Sequence, residues 1–291
     1  MVSTAKQKSS RSKAPQNEGD IKAFWDQQAF IHGGSDLATN PDQHYRALEI
    51  DSILRVISAM NPETILDVGC GNGHATLQIA RKFPEVMVTG VDFSEKMIAQ
   101  AKRRIIPNID YFEGDVLSLS RNKHIVDQKY DVVLSSRCLI NLANWEEQKV
   151  GILEMRKMTA TNGHLILVEN VQDGLDNLNN LREKIGLEPI KAPWHNKYLP
   201  QSDLTKFLTE IQGNLLTTEY VENIGNYYYL TSRVLYAKIC KDQGVEPDYN
   251  NPINAIAAKM PTLGEYYACS PNFMFVLKKE EAQWDTKKLS S

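Results

Sequence analysis

Asp67, Gly69, Gly71 and Gly73 alternate in Ile65-Leu66-Asp67-Val68-Gly69-Cys70-Gly71-Asn72-Gly73-His74, a pattern suited to a backbone turn that closes around a ligand. Glycine serves there because unusual dihedrals cost it little and no Cβ holds the ligand off. An apolar run that ends in an acid and passes into such glycines reads as a strand, a tight turn and a helix start. Two cofactor chemistries use that turn. A dinucleotide fingerprint has its third glycine five positions after the first; His74 occupies that position here, and the glycine comes one residue early. A second acid, Asp92, ends Val88-Thr89-Gly90-Val91-Asp92, 19 residues after Gly73. A carboxylate so placed accepts both hydroxyl protons of an adenosine ribose, with Phe93 and Met97 packing on the adenine faces. The same acid suits NAD, and an acid opposing a helix dipole is a third account of it. In Glu113-Gly114-Asp115-Val116, Asp115 can accept an adenine amino group while the Val116 amide meets the ring nitrogens.

Strands and helices must bring these groups together. From residue 63 to about 170, short apolar runs alternate with helical patterns, the βαβ signature of a parallel sheet. Strands are expected at Thr64–Val68, Val86–Val91, Ile109–Phe112, Asp131–Leu134 and Leu165–Glu169, with helices at His74–Lys82, Ser94–Arg104 and Trp145–Met158. Ser94 reads as an N-cap, and Gly163 as the turn into the fifth strand. Helical spacing precedes this core at Ile21–Phe30 and His44–Met60. Further helices follow at Leu175–Ile185 and Ser202–Ile211, then strands at Leu215–Val221 and Phe273–Leu277. The stretch of about fifty residues between those two strands is too long for a hairpin loop; with helical patterns at Ser232–Cys240 and Ile253–Lys259 it should form a cap.

The expected organisation is a disordered arm over residues 1–19, an N-terminal helical lid over 20–60 and a cofactor-binding core over 61–225 with an acceptor-side insertion at 171–200. A cap over 226–270 and a final strand and tail over 271–291 complete it. Composition fits this reading: 291 residues, 42% hydrophobic, 24% charged, net charge -3, ordinary for a globular protein. No basic field argues for nucleic acid, and no apolar run spans a membrane. Four cysteines without CxxC or zinc spacing point to a reducing, cytoplasmic setting and to no metal.

Together, the glycine turn, Asp92, Asp115 and Tyr130-Asp131-Val132-Val133-Leu134-Ser135-Ser136-Arg137 resemble the class I S-adenosylmethionine (SAM)-dependent methyltransferases over about residues 60–170. The resemblance implies a Rossmann-like α/β fold, a seven-stranded, mostly parallel sheet whose last strand is antiparallel. It implies SAM as methyl donor and S-adenosyl-L-homocysteine as product, with Gly69, Gly71 and Gly73 contacting the cofactor through backbone. Asp67 would hold the methionine amino group, directly or through water, and Ser135 would lie near the sulfonium. Arg137-Cys138-Leu139-Ile140-Asn141-Leu142, and Gly174–Asn179 with Pro193-Trp194-His195-Asn196, loosely resemble small-molecule methyltransferases linked to bacterial surface sugars and natural products.

In-line methyl transfer needs an aligned acceptor, and a hydroxyl acceptor also needs a base. His195 is the candidate base, with Trp194 as a stacking wall and Asn196 as an orienting amide. Glu169 and Asn170, at the end of the fifth strand, face the same crevice; Glu169 reads as a second base or as a capping carboxylate. Tyr45 and Arg46 could clamp the SAM carboxylate, under a lid hinged at Gly33-Gly34. Arg137, Asn141 and Tyr228 are candidates for binding the acceptor, although the Tyr227–Tyr229 cluster also reads as core. The expected reaction is methylation of a small polar metabolite, at a hydroxyl or carboxylate oxygen, in a biosynthetic role. N-methylation, NAD-dependent oxidoreduction and non-catalytic SAM binding remain as alternatives. The expected partners are the acceptor and, for assembly, a second copy of the chain.

Overall fold

The computed structural model describes residues 18–212, 216–260 and 268–280. The arm expected over residues 1–19 lies outside the described residues apart from its last two, which open the first helix. Seven strands form one sheet: β1 (Thr64–Val68), β2 (Met87–Asp92), β3 (Ile109–Glu113), β4 (Tyr130–Ser136), β5 (Thr159–Asn170), β6 (Leu216–Asn223) and β7 (Asn272–Lys279). Their order is β3-β2-β1-β4-β5-β7-β6. The first five pair in parallel, and β7 runs antiparallel to both neighbours. This is the sheet that the resemblance implies.

Buried side chains alternate across the strands, as the period of two requires, so the sheet has two apolar faces. On one face Leu66, Val133, Leu165 and Phe275 pack against Ile152 and Met155 of α5 (Trp145–Met158) and Leu204 and Leu208 of α7 (Gln201–Gln212). On the other, Ile65, Val132 and Ile166 meet α2 (Gln43–Ser58), α3 (His74–Lys82) and α4 (Glu95–Ala101) through Ile53, Ile57, Ile79 and Ile98. The start of β1 is pinned by Asp131, whose carboxylate accepts the Glu63 and Thr64 N–H groups at 2.9 Å each. Ser94 caps α4 as expected, accepting the Met97 N–H at 3.1 Å.

The turn expected at Gly163 takes another form. β5 begins already at Thr159, and its register against β4 shifts after Thr159, which pairs with Tyr130, so that Val132 pairs with His164. Asn162, at φ +62°, supplies the left-handed residue of that irregularity.

Two groups of helices flank the carboxyl ends of the strands. α1 (Glu18–His32) lies against α4 and leads through Gly33 and Ser35 into α2. α6 (Gln172–Lys184) packs Leu175 and Leu178 against Val234, which lies in a π-helical segment (Leu230–Tyr236) between α8 (Asn226–Tyr229) and α9 (Ala237–Asp242); α10 (Pro252–Ala257) follows. The two groups meet at Asp42. Its carboxylate caps α2 by accepting the Tyr45 N–H at 3.0 Å. It also accepts the Tyr228 hydroxyl at 2.6 Å and pairs with Arg233, which lies 3.6 Å over the Tyr249 ring. Among the described residues no helix is long and apolar enough to cross a membrane, and no group of three or more metal-ligating side chains gathers.

Candidate active site

At the carboxyl ends of β1 to β4 the chain leaves a cavity of about 350 Å³, where ligands sit in open α/β sheets. The glycine turn forms its floor. Gly69, at φ +75°, could not carry a Cβ, which would stand 2.5 Å from the Cys138 Cβ. The Gly71 N–H, at φ +57°, points to Asp92 Oδ2 at 2.9 Å. Asp92 Oδ1 accepts the Ser94 N–H at 2.9 Å, which fixes the carboxylate with lone pairs left for a ligand. Burial pushes its carboxyl up to about 6. Phe93, Met97, Asp115 and Val116 line the same end, and Asp115 also accepts the Leu117 N–H at 2.8 Å.

The opposite end is cationic. Arg46, Ser136, Arg137, Asn141, His195 and Asn196 line it. Glu49, one turn beyond Arg46 and fully buried, pairs with Arg46 and lies 3.3 Å from Arg137 Nε. Asn272 Nδ2 donates at 2.8 Å to Oε1, the same Glu49 oxygen that faces Arg137. Burial opposes the Glu49 charge, yet the two guanidiniums hold its carboxyl below the usual range. His195 stacks on Phe24 with ring centroids 4.2 Å apart. Burial, reinforced by Arg137, pushes its imidazole down to about 4, and its buried Nδ1 has no hydrogen-bond partner. The imidazole therefore stays neutral, whereas its residue type alone points to a base titrating near neutrality.

Several expected site residues lie elsewhere. Glu169 is fully buried behind the loop after β4. It takes the Ser135 hydroxyl and the N–H groups of Cys138 (3.1 Å), Leu139 (3.0 Å) and Ile140 (3.3 Å). That is the capping reading of Glu169, and burial outweighs its donors to push the carboxyl up to about 7. Ser135 is thereby spent on Glu169, and its neighbour Ser136 reaches the cavity. Tyr45 and Tyr228 pack together with ring centroids 5.7 Å apart and belong to a buried cluster away from the cavity, Tyr228 holding Asp42. Trp194 lies edge-on to Phe24 at 5.2 Å, behind the wall. Asp67 accepts the Thr76 hydroxyl at 2.6 Å beneath the turn. Asn170 lends its backbone carbonyl to Leu199 at 2.9 Å. Gly73, at φ +76°, makes room for the Tyr111 hydroxyl, 2.6 Å from where its Cβ would stand. None of these eight lines the cavity.

α1 covers the opening. Ile21 and Trp25 line the cavity, Lys22 Nζ donates to the Phe93 carbonyl at 3.0 Å, and Ser94 Oγ donates to Asp26 at 2.6 Å. Asn72, inside the glycine turn, donates to the carbonyls of Gly33 (2.9 Å) and Ser35 (2.7 Å). The turn thus anchors the segment above it. Glu49 and Asn72 escaped the sequence reading; the available hint for Glu49 was its place one turn from Tyr45 and Ile53 on the buried stripe of α2.

The residues present fit SAM. The glycine cradle admits a backbone-hugging ligand, Asp92 suits ribose hydroxyls, and Arg46, whose buried Nε lacks a hydrogen-bond partner, suits a carboxylate. Bound there, SAM supplies a methyl group on a positively charged sulfur.

Comparison with known proteins agrees. Residues 65–163 match the family model described as a methyltransferase domain. A trans-aconitate 2-methyltransferase of Deinococcus radiodurans is 37% identical over 86 residues, 28% of this chain and 33% of that one. A putative methyltransferase of Invertebrate iridescent virus 6 is 30% identical over 180 residues, 62% of each chain. The chain thus spans about a third of the length of the first of these curated relatives. The crystal structure of the N-methyltransferase NodS from Bradyrhizobium japonicum, in complex with S-adenosyl-L-homocysteine, shares the fold. Its TM-score is 0.51 at 15% identity, covering 88% of this chain and 99% of that one.

Proposed function

The chain's core belongs to the class I SAM-dependent methyltransferases, and on that premise we propose that the protein methylates an oxygen of a small polar molecule. The observation that carries this reading is the guanidinium of Arg137 at the acceptor end of the cavity, beside an imidazole that stays neutral. An amine acceptor arrives protonated at neutral pH. It would meet the charge of Arg137 and find in His195 too weak a base to remove its proton. An oxygen acceptor finds the reverse, a surface of donors from Arg137, Asn196 and Ser136.

The residues divide the work. Gly69, Gly71, Asp92, Phe93, Met97, Asp115 and Val116 hold the cofactor's adenosine half, and Arg46 its carboxylate. Asn141, His195 and Asn196 orient the acceptor. α1 and the Gly33–Ser35 segment act as a lid that excludes water, and the enclosed volume supports a small acceptor over a polymer. The unpaired cysteines support a cytoplasmic setting.

The test is transfer of a 13C-labelled methyl group from SAM to panels of alcohols, carboxylic acids and amines, read by the carbon chemical shift of the product. Label on oxygen supports the reading. Label on nitrogen, or SAM binding without turnover on any panel, overturns it.

A further inference from the structure

We propose that the acceptor oxygen is that of a carboxylate bound by the Arg137 guanidinium, and that Glu49 is the positioning residue that aims this guanidinium into the cavity. This rests on the O-methylation reading above and narrows its substrate class.

Three observations carry it. The first is how Arg137 is presented. It sits at φ +56°, a left-handed conformation uncommon for any residue but glycine. Its N–H is bonded to the Val168 carbonyl at 2.8 Å, and its own carbonyl accepts Asn141 Nδ2 at 2.8 Å. The fold thus holds an arginine in an unfavourable backbone state at the end of β4, lining the cavity. The second is Glu49. One buried carboxylate serves two guanidiniums, each with five N–H donors. Glu49 is the only carboxylate in ion-pair reach of Arg137 among the described residues, which leaves most of that fork for a ligand. A guanidinium fork matches a carboxylate with two parallel hydrogen bonds.

The third is how charge is spread. The cavity's acids Asp92 and Asp115 lie at the ends of β2 and β3, on the far side of β1 from Arg137. Glu147, at the rim, is occupied by the Ala143 N–H at 3.0 Å. The acceptor end therefore gathers positive charge, which a bound sulfonium increases, and a carboxylate complements it. Among the described residues at the acceptor end of the cavity, none is both placed and basic enough to ready an alcohol. His195 is held at about 4, and Glu169 is engaged behind the loop. A carboxylate is already ionised and requires none. Its oxygen forms the new C–O bond as the methyl carbon's bond to sulfur breaks. The bonding pair stays on sulfur and cancels its charge, and no proton leaves the acceptor.

The experiment uses full-length protein, methyl-labelled SAM and a small-molecule extract of the source cells, the product being separated by anion exchange against untreated extract and then exposed to mild alkali. Release of the label as methanol marks a methyl ester and supports the proposal. An alkali-stable ether overturns it and leaves O-methylation standing; label on nitrogen, or none, overturns both. Arg137→Gln should raise the acceptor's KM roughly 10- to 100-fold, as loss of hydrogen bonds to a charged group does, with the Kd for S-adenosyl-L-homocysteine within about threefold. Glu49→Gln should raise KM in the same way and Glu49→Asp restore part of it. If Arg137→Gln leaves KM unchanged, or weakens S-adenosyl-L-homocysteine binding as much as it weakens the acceptor, the assignment fails.

Discussion

The indole N–H of Trp25 donates to Asn141 Oδ1 at 3.1 Å, joining the first helix to the loop after β4 across the mouth of the cavity. Both side chains line that cavity, so the bond closes the roof over whatever occupies it.

Trp25→Phe removes this donor and keeps a ring to pack on Phe24 and His195, whose centroids lie 5.0 and 5.5 Å away. A neutral hydrogen bond contributes about 0.5–1.5 kcal/mol, so release of S-adenosyl-L-homocysteine should quicken about 2- to 10-fold. Stopped-flow displacement measures it. An unchanged rate would show that α1 does not gate the cavity.

Asp92 should give cofactor binding an acid limb. Ribose hydroxyls donate to the ionised carboxylate, and burial has moved the carboxyl to about 6. As pH falls through 6 the ionised fraction falls, and affinity drops towards tenfold per pH unit. Folding responds with the opposite sign. The folded carboxyl holds its proton to higher pH than the unfolded one, so its contribution to stability falls as pH rises from about 4 to 6. Calorimetry at pH 5, 6 and 7 reads the first effect and chemical denaturation the second. Asp92→Asn should flatten both.

Some of this site is legible in the chain and some is not, for physical reasons. The glycine turn and Asp92 work through local geometry: a strand end, a turn and a second strand end in parallel register, with Val68 beside Val91. Sequence spacing encodes such geometry directly. Ser135 and Ser136 differ by parity. Successive strand residues face opposite sides, and which serine points inward depends on where Glu169 of the next strand falls, 34 residues on. Glu49 is harder still. A glutamate in a helix ordinarily faces water, and its burial depends on Asn272 of the last strand, 223 residues away. Aromatic clusters serve pockets and cores alike, so the residue type of Tyr228 does not distinguish them; its burial and its bond to Asp42 rest on residues far from it in the chain.

Glu169→Gln separates a structural carboxylate from a catalytic one. The native side chain accepts one hydroxyl and three N–H groups. A glutamine offers one acceptor oxygen and turns an NH2 towards donors, at a cost of about 2–4 kcal/mol. A Tm lowered by roughly 5–15 °C follows. Binding of S-adenosyl-L-homocysteine should weaken with it, since the freed loop carries Cys138 against Gly69. Calorimetric scans and binding isotherms would show both. Lost turnover with Tm and binding intact would instead make Glu169 a catalytic residue.

His195 decides whether any protein base takes part. Its ring is packed against Phe24, Trp25 and Trp194, where partial burial leaves an imidazolium poorly solvated, and Arg137 adds repulsion. Proton uptake is therefore deferred to about pH 4, and the ring remains neutral across the working range. The pH profile of kcat/KM should show no His195 limb between pH 6 and 9. His195→Gln, which keeps a hydrogen-bonding side chain, should retain activity within about tenfold. A base with its ordinary pKa would behave otherwise, giving a rising limb near 6.5 and a loss of about 10²- to 10⁴-fold on substitution. Arg137→Gln adds a check that needs no turnover. Removing the neighbouring charge should raise the His195 pKa, followed by the ring-proton shifts in an NMR titration. Were the pKa unmoved, Arg137 would not face this imidazole, and the cationic acceptor end would lose one of its two supports.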